Sequence, residues 1–531
     1  MKKKIIALFL AASLIFLMCG CKDDSSTTPN QGISGTEKEN ANLLYCANDT
    51  FNPYTLTTKV NMELCQLLFE PLIKLDNNFQ PIYALAESAV QDSKKWTVTL
   101  KNAKFSDGSA VTGEDVVYSF NLAKSSSVYS SSLKETQSAS SQGNTVTFTL
   151  NYCDPYFVNL LSFPILKKDS DKVYDQDSVL YPPIGAGRYI LNDSCTKLGL
   201  NPNYYGAPSR FGTINLINAP DNESVSHYVE VGATDFYYAN TGDGQIFRMD
   251  GKKLTINQNR LIYIGMNLRL SVFKEPKVRY SISAALDRTK IAANAYYGNA
   301  LPATGPLTPA WNSKENYSTI ETSANTKIAI ENLEEIGYNI LDNSGYRTNS
   351  SGKGLEFSLL INSENVSQQE AAKLIVSQLR EVGIRITVVS LSYEEYLKAL
   401  SSGSFQLYLA EVKINNNFDI APLVLPGGSC AYGIPASSQS IDEGQEQGEA
   451  QGENPEEHNE SYGNDLSELI NRYRNGTVSL SEVVSAVGAQ MPFIPLCYRS
   501  GVLFYSNGIG EITNASVDDL FMSLEKPNSI F

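Results

Sequence analysis

The sequence predicts an α/β protein of two unlike lobes, on three observations. The run from Gly354 to Ala410 alternates strand, helix, strand, helix, strand; the stretch from Trp96 to Leu150 mixes shorter strands with a helix; and 531 residues suffice for roughly three domains at about 150 residues each. In the first run, Leu355 to Ile361 alternates as a strand. Ser367 with Glu370 then reads as a capping box, followed by Leu374, Ile375, Leu379 and Val382 at helical spacing, and Gly383 stops the helix. Ile384 to Val389 is a second strand, Ser392 with Glu395 caps a helix carrying Tyr396, Leu397 and Leu400, and Gly403 precedes a third strand, Phe405 to Ala410. Such a series means an open sheet with helical crossovers. Upstream, Arg260 to Asn267 reads as a strand, followed by helices from about Pro276 to Leu286 and from Thr326 to Ile336.

The earlier part has α+β texture. Trp96 to Leu100 is a short strand, Phe105 to Gly108 a turn, and Thr112 with Asp115 a capping box opening a helix through Val116, Val117 and Phe120. Asn144 to Leu150 places Val146, Phe148 and Leu150 on one face. Two unlike lobes on one chain invite a cleft between them.

Composition excludes several functions. With 42 Lys plus Arg against 57 Asp plus Glu the net charge is −15, and no stretch supplies the basic stripe that a nucleic-acid partner needs. Hydrophobic residues at 42% and aromatic residues at 10% provide material for several cores. Only two histidines are present, and of these His227 lies in an amphipathic stretch and His458 in a polar one. There is no P-loop, no His-Glu-x-x-His and no Gly-x-Ser-x-Gly, so the sequence predicts no catalytic residue, metal or cofactor. Gly185 and Gly187 lack a third glycine and serve a sharp turn rather than a dinucleotide. A hydrolase of glycans, which needs only two carboxylates, and a non-transport surface protein of adhesin or chaperone type are the alternatives.

Residues 1–20 set the expected compartment. Lys2 to Lys4 precede the 14-residue apolar run Ile5 to Met18, which is too short to cross a bilayer and reads as a secretion signal. Leu17-Met18-Cys19-Gly20-Cys21 resembles a bacterial lipobox, which implies cleavage before Cys21 and lipid on its sulfur. Two or three acyl chains anchor a protein durably. Residues 21–42 are polar and read as a flexible tether. A second polar segment, 437–461, carries eight acidic residues between Asp442 and Glu460 with no Lys or Arg, and reads as a solvated loop. Six cysteines remain, Cys46, Cys65, Cys153, Cys195, Cys430 and Cys497; without a C-x-x-C pair they read as buried free thiols rather than a zinc or redox motif.

A set of motifs in fixed order carries a family resemblance. Residues 96–120, WTVTLKNAKFSDGSAVTGEDVVYSF, look like the signature region of the extracellular solute-binding proteins of family 5, which serve oligopeptide, dipeptide and nickel ABC importers. Phe69-Glu70-Pro71-Leu72, Ala84 to Ser88, Pro183 to Tyr189, Asn201 to Tyr205, Val278-Arg279 with Ala284 to Arg288, and Pro492 to Leu496 resemble further family landmarks, collinear from about Leu44 to Val502. The resemblance implies a periplasmic-binding-protein-like fold of type II, two-lobed, with an extra subdomain inserted in the first lobe. Carried over, lobe 1 combines 43–74, 183–255 and 492–531, its insert spans 75–182, and lobe 2 spans 256–491.

The implied function is capture of a small polar solute, peptide first, in an interlobe cleft, and delivery to a membrane permease driven by an ATPase. The protein is expected to act as a lipid-anchored extracytoplasmic monomer. Family peptide binders commonly hold the ligand's ammonium on an aspartate shortly after a strand like Phe405 to Ala410. Here that region reads Lys413-Ile414-Asn415-Asn416-Asn417-Phe418-Asp419, so Asp419 is a shifted candidate and Asn415 a neutral one. Asn48, Phe51 and Asn52, after the first strand, are expected to meet ligand from lobe 1, Asn267 from lobe 2, and Trp311 by stacking. Asp107, Gly108, Asp287 and Arg288 read as structural: a tight turn and a helix-end ion pair.

Overall fold

The computed structural model describes residues 38–172, 182–241, 249–311, 319–435 and 461–525, with side chains in the last stretch from Leu466 onward. Cys21, the secretion signal, the tether up to Glu37 and the acidic segment up to Glu460 lie outside the described residues.

The first lobe starts from Asn40–Tyr45, which pairs in parallel with Thr213–Asn218 in a sheet continued antiparallel by Lys197–Leu200 and Tyr189–Leu191. The helix Lys59–Leu68 packs on it through Leu64, Cys65, Leu67 and Leu68. Its fully buried Asn61 accepts the Cys46 N–H at 2.8 Å and donates to the carbonyl oxygens of Cys46 and Thr50, stapling the intervening loop to the helix. The chain at Gly185 and Gly187 runs against the end of this helix. A Cβ at Gly187 would stand 2.3 Å from the Leu67 carbonyl oxygen and 2.3 Å from the Leu68 carbonyl carbon, and neither backbone atom can yield cheaply. Gly187→Ala is therefore expected to lose about 3 kcal/mol or more of stability in urea denaturation, whereas Gly199→Ala, facing open space, should change it by under about 0.5 kcal/mol.

The subdomain is a four-stranded antiparallel sheet in the order Ala86–Asp92, Lys95–Leu100, Thr145–Leu150, Thr136–Gln142. Across it lies the helix Gly113–Ser125, opened by the expected Thr112 and Asp115 box, in which the Thr112 N–H donates to Asp115 at 2.8 Å. Its Phe120 meets Phe148 edge-on with centroids 5.6 Å apart. Every second residue of Thr145–Leu150 is buried, as the alternation predicts.

The second lobe holds the predicted crossovers. Glu356–Asn362 pairs in parallel with both Arg385–Leu391 and Leu407–Lys413, with the helix Val366–Glu381 between the first two and Tyr393–Ser402 before the third. The helices bury Ile375 and Leu379 against Phe357, Leu359 and Ile361 in one apolar cluster. Gly383 and Gly403 both adopt positive φ at the helix ends. Two local readings need correction. Asn365, not Ser367, caps the first of these helices, because the helix starts at Val366 and the Asn365 side-chain Oδ1 accepts the Gln368 N–H at 3.0 Å. Arg288 makes no ion pair among the described residues: it is 1% exposed and spends its guanidinium on the carbonyl oxygens of Pro495, Ser283 and Glu321, while Asp287 caps the following helix through the Lys290 N–H.

Two long antiparallel strands, Lys252–Met266 and Phe493–Tyr505, join the lobes. At one end Phe236–Ala239 adds to them; at the other, Leu407–Lys413 and Ala300–Pro302 do. Their pairing slips between Asn257 and Leu261 and again between Ile262 and Tyr263. Among the described residues no helix is long and apolar enough to cross a membrane. The six described cysteines are free thiols.

Candidate functional site

The slip in the crossing strands sits beside a cavity of about 300 Å³ lined from both lobes. The helix Lys59–Leu68 contributes Lys59 and Glu63, the crossing strand Gln258 and Asn259, the second lobe Lys413, and the C-terminal segment Asp518. A second cavity of about 190 Å³ shares Met62, Gln66, Lys413, Asn416, Val517 and Asp518 with the first. Its remaining wall is mostly apolar and includes Leu56, Phe69, Val128, Leu133 and Leu160.

The electrostatics of this cleft are unbalanced. Burial pushes the Glu63 carboxyl up to about 7, against weak opposition from Lys59, whose Nζ stands 3.9 Å away. Burial likewise pushes Asp518 up to about 6, opposed by the Leu75 N–H and by Lys413. Partial desolvation by the cleft walls and the nearby Arg260 hold Lys413, still open to solvent at the end of its strand, below the usual lysine range, with Asp518 pulling the other way. Arg260 is engaged with Glu411 at 3.2 Å, a carboxylate that also takes Arg499 at 2.9 Å.

Glu63 is costly to the folded state when ionised. A carboxyl with a raised folded pKa binds more protons folded than unfolded between about 4.5 and 7, so its stabilising contribution is complete below 4.5 and is lost as pH rises through 7. Glu63→Gln is expected to raise the melting temperature above pH 7, by on the order of 2 kcal/mol of stability, and to leave it unchanged near pH 4; a calorimetric pH series on both proteins checks this.

Behind the cleft the first lobe is pinned by a buried network. Asp519 accepts from Arg188 at 2.6 Å and from Lys74 at 2.9 Å, and Lys74 also pairs with Glu70 at 2.9 Å. Burial alone would raise Asp519, but Arg188 and Lys74 outweigh it and hold the carboxyl below its usual range.

A third contact zone closes the insert onto the second lobe. Asn417 Nδ2 donates to Asp154 at 2.7 Å, Asn159 Nδ2 to the Asn416 carbonyl at 3.0 Å, and Ser132 Oγ to Asn415 Oδ1 at 3.2 Å. Phe418, at φ 59°, stacks on Trp311 with centroids 3.8 Å apart and meets Tyr156 and Phe79 edge-on.

The residues expected from sequence divide as follows. Asn48 is exposed on a loop and Phe51 is fully buried against Tyr45. Asn52 caps its own turn through the Tyr54 N–H. Asn267 is 7% exposed and donates to the carbonyl oxygens of Gly403 and Phe405. Asp419 accepts from the Ala421 N–H at 3.0 Å and lies 3.6 Å from Arg474. Asn415 and Asp419 share a small hollow between insert and second lobe, Trp311 joins the aromatic contact beside it, and none of the seven lines either larger cavity. Glu63, Gln258, Asn259, Lys413 and Asp518, which line the larger cavity, are not among the residues expected from sequence. The one signal available was Asn257-Gln258-Asn259-Arg260, four polar residues in a row inside an otherwise apolar strand pattern. His227 is exposed on the helix Asn222–Glu230, away from the cleft.

Two α/β lobes joined by crossing strands, with a charged cleft at the crossing, define a hinged solute-binding protein. The family model for bacterial extracellular solute-binding proteins, family 5 (middle), matches residues 80–429, and the chain belongs to that family. It is a solute-binding protein of the ABC-importer class, a family of binders rather than enzymes. Among curated relatives it is 25% identical over 415 residues to the oligopeptide-binding protein AppA of Bacillus subtilis, covering 73% of this chain and 76% of that one. In fold it resembles the unliganded open form of the periplasmic murein tripeptide-binding protein MppA, with a TM-score of 0.68 at 17% identity over 89% of this chain and 96% of that one. A nickel ABC transporter structure from Bacillus halodurans gives a TM-score of 0.67 at 20% identity, covering 88% and 95%.

Proposed function

We propose that this protein captures a short peptide between its lobes and hands it, unaltered, to a membrane permease driven by an ATPase. The observation that carries this reading is the pair of cavities sharing six lining residues, one rich in charge of both signs and the other mostly apolar. A zwitterionic chain with apolar side chains matches such a cleft, and the combined space suits a small solute rather than a macromolecule. The lobes and insert are divided at residues 74, 182, 255 and 491, so that the cleft opens by bending of the two crossing strands. Native mass spectrometry of the full chain, followed by denaturation, is expected to release copurified peptides of a few residues. Recovery of a non-peptide solute alone would replace the peptide reading.

The protein acts as a lipid-anchored extracytoplasmic monomer, held through Cys21. Supporting this are the short apolar run before Cys21 and the polar tether behind it. Cys21→Ala is expected to move the protein from the membrane fraction, or to leave it unprocessed with its signal attached; processing and membrane retention equal to the parent would contradict the anchor.

A further inference from the structure

The larger cavity presents acceptors without donors. Glu63 Oε1, Gln258 Oε1 and Asn259 Oδ1 are buried and accept no hydrogen bond, and all three residues line this cavity. The two amides are oriented by their other ends. Gln258 Nε2 donates to the Tyr238 hydroxyl at 2.6 Å and to Asn240 Oδ1 at 3.3 Å, and Asn259 Nδ2 donates to the Asn415 carbonyl at 3.3 Å. The Asn415 backbone carbonyl is an acceptor only, so the Asn259 amide cannot turn over to present its NH₂ group instead. Adjacent strand residues normally point to opposite faces, but the register slip between Asn257 and Leu261 lets both line one cavity.

Gln258 is 8% exposed and Asn259 5%, and a buried acceptor without a donor costs about 1–3 kcal/mol. Something that enters this cavity supplies those donors. The charges present indicate what. Lys59 is already spent on the Tyr238 carbonyl and lies over the Tyr238 ring, and Arg260 is spent on Glu411. Asp518 faces the same space and has no base within ion-pair distance among the described residues. Lys413, lining both cavities, is likewise outside any ion pair there. The acceptors thus include two carboxylates, one of them with Lys59 3.9 Å away, and Lys413 stands at the border with the apolar cavity.

We propose that the ligand's ammonium is held by Glu63 and Asp518 of the first lobe together with Gln258 and Asn259 of the crossing strand, and not by Asp419. An ammonium brings three donors, matching the three orphaned oxygens of Glu63, Gln258 and Asn259, while Asp518 adds a second negative charge to the lining. The apolar cavity then takes a ligand side chain, and Lys413 faces a ligand carboxylate or carbonyl. Asp419 is occupied by the Ala421 N–H and by Arg474, and the hollow it lines has room for about one water, about 10 Å³. This assignment rests on the peptide reading for the ligand's class, but the ammonium subsite is testable apart from it.

The test is titration calorimetry of the detergent-solubilised full chain with three probes: trileucine, N-acetyl-trileucine and isoamylamine. The expected result is that trileucine binds at least about tenfold more tightly than its N-acetyl form. Glu63→Gln and Asp518→Asn should each erase that preference, and Asp419→Asn should retain it even if overall affinity changes. Equal binding of the two peptides, or loss of the preference in Asp419→Asn but not in Glu63→Gln, overturns the assignment. If neither peptide binds but isoamylamine does, and Glu63→Gln weakens it, the peptide reading falls and the ammonium subsite stands. If none of the three binds, the subsite is overturned as well. Glu63 is 20% exposed, and its neutral isostere keeps the side-chain volume, so a folded variant is available whatever Asp518→Asn does to stability.

Discussion

Asp519→Ala is expected to destabilise the protein by about 3–5 kcal/mol, the range for removing one partner from a buried ionic network. Asp519 is fully buried and takes both Arg188 and Lys74, so its removal leaves Lys74 with Glu70 and Arg188 with only the longer contact to the partly exposed Glu525 at 3.5 Å. Arg188 would keep its bond to the Phe521 carbonyl at 2.6 Å but lose its nearest, fully buried counter-charge. Asp519→Asn should fall between parent and Ala, since an amide oxygen can still take the Phe521 N–H that Asp519 accepts at 2.9 Å. Because the folded carboxyl is held below its usual range, the network's contribution is present above the unfolded value of about 3.8 and is lost as pH falls through the folded one. Asp107→Ala, which breaks an exposed pair with Lys167 and a turn contact, should lose about 1 kcal/mol or less. Urea midpoints at neutral pH compare all three; an Asp519→Ala midpoint matching that of Asp107→Ala would show that the network is not what pins the C-terminal segment behind the cleft.

Phe418→Ala is expected to shift the protein toward an open cleft rather than to unfold it. Phe418 is fully buried, and its partners come from both sides: Trp311 at 3.8 Å from its own lobe, Tyr156 at 5.8 Å and Phe79 at 6.5 Å from the insert. Truncating a buried phenylalanine costs about 3–5 kcal/mol, and here a large share of that contact area exists only while the lobes are together. The closed population should fall by roughly one to two orders of magnitude, and the apparent affinity for solute by the same factor. Far-ultraviolet circular dichroism should stay unchanged while the radius of gyration measured at a fixed, sub-saturating solute concentration rises. A loss of helix and strand signal instead would make Phe418 an ordinary core residue.

What the sequence made legible is what short-range chemistry controls. The crossover run from Glu356 to Lys413, the Thr112 and Ser392 boxes and the glycine stops at Gly383 and Gly403 are local, because a cap or a period-2 face is decided within a few residues. Errors at that scale were small and chemical: Asn365 outcompeted Ser367 because it stands where the first orphan N–H groups are, and Arg288 found carbonyls instead of an acid. The family resemblance supplied the architecture, since nothing in the alternation of Lys252–Met266 says that one strand serves two lobes.

The site was harder for a related reason. Glu63, Gln258, Lys413 and Asp518 are brought together from four distant points, and only the fold makes them neighbours. Asn48, Asn52 and Asn267 attracted attention as polar loop residues, but two of them spend their side chains on nearby backbone. An asparagine after a strand is more often a turn cap than a ligand donor. The polar quartet from Asn257 to Arg260 is the local pattern that coincides with the cavity, because polar residues in a half-buried strand need partners that the strand itself does not offer.

The central claim is that the lobes shut over a solute and return it intact. Small-angle scattering of the full chain, stripped of ligand by partial unfolding and refolding and then reloaded with the recovered solute, tests it most directly. The expected result is a smaller radius of gyration on reloading, saturation at one solute per chain, and a second elution at unchanged mass. An identical scattering profile at full occupancy, or a solute that comes back cleaved, would contradict it.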